Sequence, residues 1–327
     1  MDWTGKRVLV TGAGGFIGSQ LTEKLAELGA SPRAFVRYVS DGSEGWLEKS
    51  PFKHNIEIIR GDICDRDSVE AAVQGVDIVF HLAALIAIPY SYHLPESYIR
   101  TNVLGTLNIL QAAKSFSIER FVHTSTSEVY GTAQYVPIDE RHPLQGQSPY
   151  SASKIGADKL VESFHLSFDF PAVTIRPFNT FGPRQSARAI IPTIISQCLN
   201  KSTIQLGNLE PIRDFSYVTD TVEGFLLAAS QPKVVGHTIN IGSGQEIRIR
   251  DLVDMVGQIL RRPIKIESDP KRSRPEQSEV DRLLANNSLA RDLLGWQPKV
   301  SLQEGLQLTA SWIQKRLDSF DPNAYVL

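Results

Sequence analysis

The amino-acid sequence predicts an α/β fold: a doubly wound parallel sheet with a smaller C-terminal lobe. Three observations predict it. Short apolar runs alternate with helix-period segments up to about residue 180, the pattern of a parallel sheet with helices on both faces. The first run, KRVLVTG (6–12), stops on glycine just ahead of a helical segment. The chain has 327 residues, more than one hydrophobic core usually holds. The expected division is a larger unit over 1–180 and a lobe mainly over 181–327, with later segments crossing back into the sheet.

The elements follow in order. KRVLVT is an unbroken apolar run, as a strand covered on both faces requires. GFIGSQLTEKLAELGA has helical periodicity and ends on Gly29, a helix-stop signal. PRAFVRY is the second strand and IEIIRGDICD (56–65) the third. DSVEAAVQG starts a helix near Asp67, and VDIVFHLAA (76–84) is the fourth strand. ESYIRTNVLGTLNILQAAKSF reads as one long helix and RFVHTST as the fifth strand. YSASKIGADKLVESFHLSF is another long helix, and AVTIRPFNTFG a sixth strand. Beyond residue 180, RDFSYVTDTVEGFLLAAS reads as a strand entering a helix, GHTINIGSG as a strand, and RIRDLVDMVGQIL as an amphipathic helix.

Composition narrows the function classes. Hydrophobic residues make up 42% and charged residues 21%, with a formal net charge of −2. That balance gives no general attraction to nucleic acid or to membranes. The two cysteines, Cys64 and Cys198, space neither as metal ligands nor as a disulfide framework, so a cytoplasmic protein without a metal site is expected. The opening MDWTGKRVLVTG is too polar for a cleaved leader, and no apolar run is long enough to span a bilayer.

TGAGGFIG places Gly12, Gly15 and Gly18 in G-x-x-G-x-x-G spacing at the first strand–helix junction. Glycine allows the tight turn and the close approach of backbone to a pyrophosphate, as in Rossmann folds. The helix opened by Phe16 and Ile17 offers free N–H groups to the phosphates. At the end of the second strand, where an acid would bind a ribose 2′-hydroxyl, stands Arg37. A guanidinium suits a 2′-phosphate, which points to NADP, with NAD held in another way as the alternative. Asp62, followed by Ile63, is placed to accept from an adenine amino group or to cap a turn. Leu82, Ala83 and Ala84 end the fourth strand with side chains that let a cofactor lie against backbone.

HTSTSEVYG (123–131) sets Thr126, Ser127 and Glu128 at the exit of the fifth strand. Tyr150 and Lys154, in SPYSASK, lie four apart on one helix face. An ammonium beside a phenol favours the phenolate, a base able to take a hydroxyl proton as hydride leaves the same carbon.

These motifs together resemble the extended short-chain dehydrogenase/reductase family and, within it, the sugar-nucleotide epimerases and dehydratases. RPFNTFGPRQ (176–185), RDFSYVTD (213–220), INIGSG (239–244) and RPEQSEV (274–280) extend the resemblance. It implies that Thr126, Tyr150 and Lys154 form the hydride-transfer set, with the cofactor tightly bound and regenerated each cycle. It implies that Asn179, Arg184, Arg213 and Arg274 hold a nucleotide diphosphate; arginine forks suit two phosphates. Ser127-Glu128 resembles the TSE of GDP-mannose 4,6-dehydratases and equally that of UDP-glucuronate decarboxylases. RYVSDGSEGWLE (37–48) and the stretches around Tyr150 and Arg184 are similar to dehydratases that open legionaminic-acid-type pathways. The reaction so implied is 4,6-dehydration of an NDP-N-acetylglucosamine, with decarboxylation or C4 epimerisation as alternatives. The two long helices resemble those that pair as a four-helix bundle in family homodimers.

Overall fold

The computed structural model describes residues 1–319; the end of the expected lobe, 320–327, lies outside the described residues. In chain order the strands and helices begin β1 (Arg7–Thr11), α1 (Phe16–Glu27), β2 (Ser31–Arg37), β3 (Glu57–Gly61), α2 (Arg66–Val73) and β4 (Ile78–His81). Then come α3 (Ile88–His93), α4 (Pro95–Tyr98), a π turn over Ile99–Leu104, α5 (Gly105–Ser115), β5 (Arg120–Thr124) and α6 (Pro149–Phe168). The chain continues with β6 (Ala172–Pro177), β7 (Asn179–Phe181), α7 (Ile190–Asn200), β8 (Thr203–Leu206), β9 (Ile212–Tyr217) and α8 (Val218–Ser230). It closes with β10 (Thr238–Ile241), β11 (Glu246–Arg248), α9 (Ile249–Leu260), β12 (Lys265–Ser268), α10 (Ser288–Leu294) and α11 (Leu302–Gln314).

The main sheet is parallel, with strand order β10-β6-β5-β4-β1-β2-β3. Its order reverses between β1 and β4, so the crevice for a ligand opens at their carboxyl ends. β10 is the late segment that returns to the sheet, pairing with β6. A small sheet β11-β9-β7 and a pair β12-β8 lie outside it. One apolar core joins both parts, running from Val8, Val10 and Leu21 through Ile194, Phe215 and Leu252 to Trp296. The other sheet face buries Leu9, Val79 and Phe121 against Ile109 and Leu110 of α5 and Val161 of α6. Among the described residues, no helix is long and apolar enough to cross a membrane.

Two sequence expectations change. AVTIRPFNTFG is two strands, not one: β6 stays in the main sheet and β7 pairs with β9. The break falls at Phe178, whose N–H still binds Ile241 O at 2.8 Å while its ring joins a separate core with Tyr130 and Leu283. An apolar residue at the break hides it from a pattern reading. The long helix 96–116 is also interrupted, by the π turn. There Asn102 reaches back to Leu85, accepting from its N–H at 2.8 Å and donating to its C=O at 2.9 Å. A π turn inside a helix commonly marks a functional site.

Candidate active site

The glycine loop leaves β1 at Gly12, whose φ of +67° favours glycine. A Cβ there would lie 2.9 Å from Ala83 N, and one on Gly18 would collide with the Gly12 carbonyl. The loop therefore closes directly on the end of β4. Thr11 ties the two strands together: its Oγ1 accepts from the N–H groups of Leu82 (3.1 Å) and Ala83 (3.0 Å). Its own proton goes to His81 Nδ1, 2.9 Å away. Burial, with the Lys154 ammonium nearby, holds His81 well below the usual imidazole range, so it is neutral and can accept there. No side chain caps α1 at Gly15, which leaves the N–H groups at Phe16 and Ile17 for an anion. This cradle fits a dinucleotide pyrophosphate.

Around it, Arg37 ends β2 in solvent. Nearby Arg60 is taken by Glu44 at 2.5 Å. Asp62 accepts the Cys64 N–H at 2.8 Å through one oxygen, the turn-forming alternative, and its second oxygen is not used in that turn. Ile63 packs on Gly105.

The end of β5, the turn after it and α6 carry the residues that the sequence marks as candidate reactive groups. α6 starts at this point because Ser148 and Ser151 form a capping box ahead of Pro149. Thr126 caps the 3-10 turn Ser127–Tyr130, accepting the Glu128 N–H at 3.2 Å. That turn buries Ser127 and presents Glu128. Tyr150 is 7% exposed and its phenol lies beside the Thr126 hydroxyl; Tyr98 covers it edge-on, with ring centroids 6.3 Å apart. Burial raises the Tyr150 phenol far above its ordinary value, the Thr126 hydroxyl opposing. Lys154 is buried, and its Nζ donates to Thr124 O at 2.7 Å. Burial lowers it to about 8, opposed by Asp158. The sequence reading had the ammonium lowering the phenol. The fold instead turns Nζ to a backbone carbonyl, and desolvation of the ring dominates.

The candidate substrate-side residues come from later segments. β9 carries Arg213, 6% exposed and 3.2 Å from Glu279. Arg274 stands 3.9 Å from Glu128 and 3.7 Å from Glu279; its Nη1 is buried without a hydrogen-bond partner. Asn179 opens β7 with its Oδ1 also buried and unpartnered. Orphaned polar atoms of this kind are costly and point to a missing ligand. Arg213, Arg274 and Glu128 thus form one cluster. Arg184 stands apart from it: it donates to Ser19 Oγ at 3.0 Å and pairs with Glu23 at 2.8 Å on α1, fastening the later chain to the dinucleotide-binding helix.

Sequence reasoning passed over Asn102, which also donates to Ser153 Oγ at 2.9 Å and so couples the end of β4 to α6. It missed Glu279 too. The signal was available in RPEQSEV, where an acid follows the arginine at short range.

Comparison with known proteins agrees with this geometry. Residues 9–309 match the family model described as GDP-mannose 4,6 dehydratase. A UDP-glucose 4-epimerase of Mycolicibacterium smegmatis is 32% identical over 319 residues, covering 95% of this chain and 99% of the relative. A dTDP-D-glucose 4,6-dehydratase of Homo sapiens is 33% identical, covering 96% and 92%. The crystal structure of a dTDP-glucose 4,6-dehydratase from Streptomyces venezuelae, with NAD and TYD bound, superposes with a TM-score of 0.87 at 28% identity, covering 97% and 99%.

Proposed function

The chain belongs to the GDP-mannose 4,6-dehydratase family of extended short-chain dehydrogenases/reductases, and from that premise we propose that it is a nucleotide-sugar 4,6-dehydratase. Its proposed substrate is an N-acetylglucosamine carried on GDP or UDP. One observation carries the reading: a carboxylate, Glu128, sits beside the Thr126–Tyr150 pair and within 3.9 Å of Arg274. Simple exchange of configuration at C4 needs no such acid. Removal of a proton next to a carbonyl does.

In this reading Arg213, Arg274 and Asn179 bind the diphosphate, and the two arginines exchange Glu279 for phosphate oxygens. Thr126 orients the C4 hydroxyl, and Tyr150 takes its proton. Lys154 fixes positive charge beneath the site. A bound nicotinamide dinucleotide, held at the glycine loop, would supply the acceptor for the C4 hydride and the source of the hydride at C6. The resulting ketone acidifies C5–H, and Glu128 removes that proton. Protonated Glu128, or Ser127, then assists departure of the C6 hydroxyl as water; with the hydride restored at C6, C5 regains a proton within the site, matching the one Tyr150 took from the C4 hydroxyl.

A second reading, C4 epimerisation, is favoured by the mycobacterial relative. Product mass separates them. Incubation with GDP-, UDP-, dTDP- and CDP-sugars should yield one product lighter by a water. An unchanged mass means epimerisation, and loss of carbon dioxide means decarboxylation; either would overturn the dehydratase.

We also propose NADP as the resident cofactor, because Arg37 is exposed at the 2′-position while Arg60 is engaged. A cytoplasmic homodimer is proposed with it. Ile99 and Leu104 on the π turn, and Leu166 and Phe168 at the end of α6, are exposed apolar residues on the helices that would pair. Purified protein should scatter as twice the chain mass and release NADP on denaturation. A monomer, or release of NAD, would contradict the corresponding half.

A further inference from the structure

We infer that Asp158 is a positioning residue for the Tyr150–Lys154 pair, stitching the exit of β5 to α6 and supplying a buried negative charge beside Lys154. The inference rests on the reading that Tyr150 and Lys154 run the oxidation at C4, and not on whether water is then lost.

Tyr150, Lys154 and Asp158 recur every four residues and so share one face of α6. The end of β5 answers each of them. The Thr126 hydroxyl lies beside the Tyr150 phenol, and the Thr124 carbonyl takes the Lys154 ammonium at 2.7 Å. The residues on either side of Thr124 both go to Asp158: His123 Nε2 lies 3.1 Å from Oδ1, and Ser125 Oγ donates to Oδ2 at 2.7 Å. Lys154 therefore binds a carbonyl whose two neighbours Asp158 holds. Arg176 of β6 completes the carboxylate, donating to Oδ2 from Nε at 3.2 Å and from Nη2 at 2.9 Å.

The charge is firmly held. Burial pushes Asp158 up, but the His123 hydrogen bond and the Arg176 charge outweigh it and leave the carboxyl at about 2. His123 is brought down to about 4 by burial and by Lys154, so it donates from Nε2 as a neutral ring; its Nδ1 has no partner. Other groups around this stripe are His81 of β4, Arg176 of β6, Tyr90 of α3, Tyr98 of α4 and Glu128 and Tyr130 of the 3-10 turn; Glu140, His142 and His165 line the same cavity as Asp158 and Arg176. Arg100 of the π turn is exposed, and Lys114 of α5 sits over Phe168 at the far end of α6. Burial lowers Lys154, and Asp158 is the charge that opposes it. The sign follows: the cation is present below about 8 and is lost as pH rises, and it is lost sooner without Asp158.

The test uses holoenzyme, UDP- and GDP-N-acetylglucosamine, and two readouts across pH: the transient reduced-nicotinamide signal in stopped flow and the single-turnover rate of sugar conversion by mass spectrometry. Asp158→Asn should move the basic limb about one pH unit lower, with KM little changed. Asp158→Glu, which keeps the charge, should restore the limb. Arg176→Met should move it to higher pH, because the carboxylate is then less neutralised; this variant decides the matter if Asp158→Asn does not fold. A structural role alone would lower the rate and the melting temperature without moving the limb in opposite directions. Superimposable limbs in an active wild-type background overturn the inference. No oxidation by the wild type on any nucleotide sugar overturns instead the reading beneath it.

Discussion

Glu128→Gln should lose dehydration by about 10²–10⁴-fold, the usual worth of a positioned acid–base group, while still binding cofactor and nucleotide sugar. The amide has the size of the carboxylate and keeps the Glu128 N–H on Thr126 Oγ1, so the 3-10 turn keeps its cap. It cannot accept the C5 proton. Its contact with Arg274 is long, at 3.9 Å, and Arg274 keeps Glu279 at 3.7 Å, so loss of the charge at position 128 should change diphosphate binding little. In the proposed mechanism the C4 oxidation uses Tyr150, Thr126 and Lys154 and should still proceed, so the variant should accumulate reduced nicotinamide that the wild type does not. Mass spectrometry of the product and nicotinamide absorbance together check this. Near-normal water loss would give the C5 proton to another residue.

The parts of the site that sequence shows well are those set by local chemistry. Gly12, Gly15 and Gly18 announce a turn that only glycine fits, and the structure closes that turn on Ala83. Tyr150 and Lys154 share a helix face by spacing alone. What sequence hides is long-range pairing. Nothing near Arg184 foretells Glu23, some 160 positions earlier in the chain, as its partner. Arg213 and Arg274, also far apart in sequence, meet at Glu279 only because β9 and the segment after β12 converge. The direction of Lys154 likewise depends on where β5 ends, since its acceptor is a backbone carbonyl that no side-chain pattern encodes. Fold boundaries follow the same division. β10 was readable as a strand, and a return to the sheet was expected, but only the structure shows that this strand makes it. The break at Phe178 and the π turn at Asn102 were not, because both lie within apolar periodicity and are imposed by tertiary contacts.

The second large effect concerns the hydride itself. The proposed reaction returns the hydride it removes. Tyr150 is buried under Tyr98, and His81 and Thr11 brace the strand ends beneath the cradle. Hydride taken from C4 should therefore be returned within the same site, with little reduced nicotinamide released during turnover. Wild-type protein should accumulate 4-keto product with no matching rise in reduced-nicotinamide absorbance. An ordinary dehydrogenase would show that rise mole for mole. The most direct measurement starts with the nucleotide sugar carrying deuterium at C4 and locates the label in the product by mass spectrometry and NMR. The expected result is deuterium at C6 of a product lighter by one water. Deuterium back at C4 of an isomeric sugar, or retained on released reduced nicotinamide, would contradict 4,6-dehydration by internal hydride return.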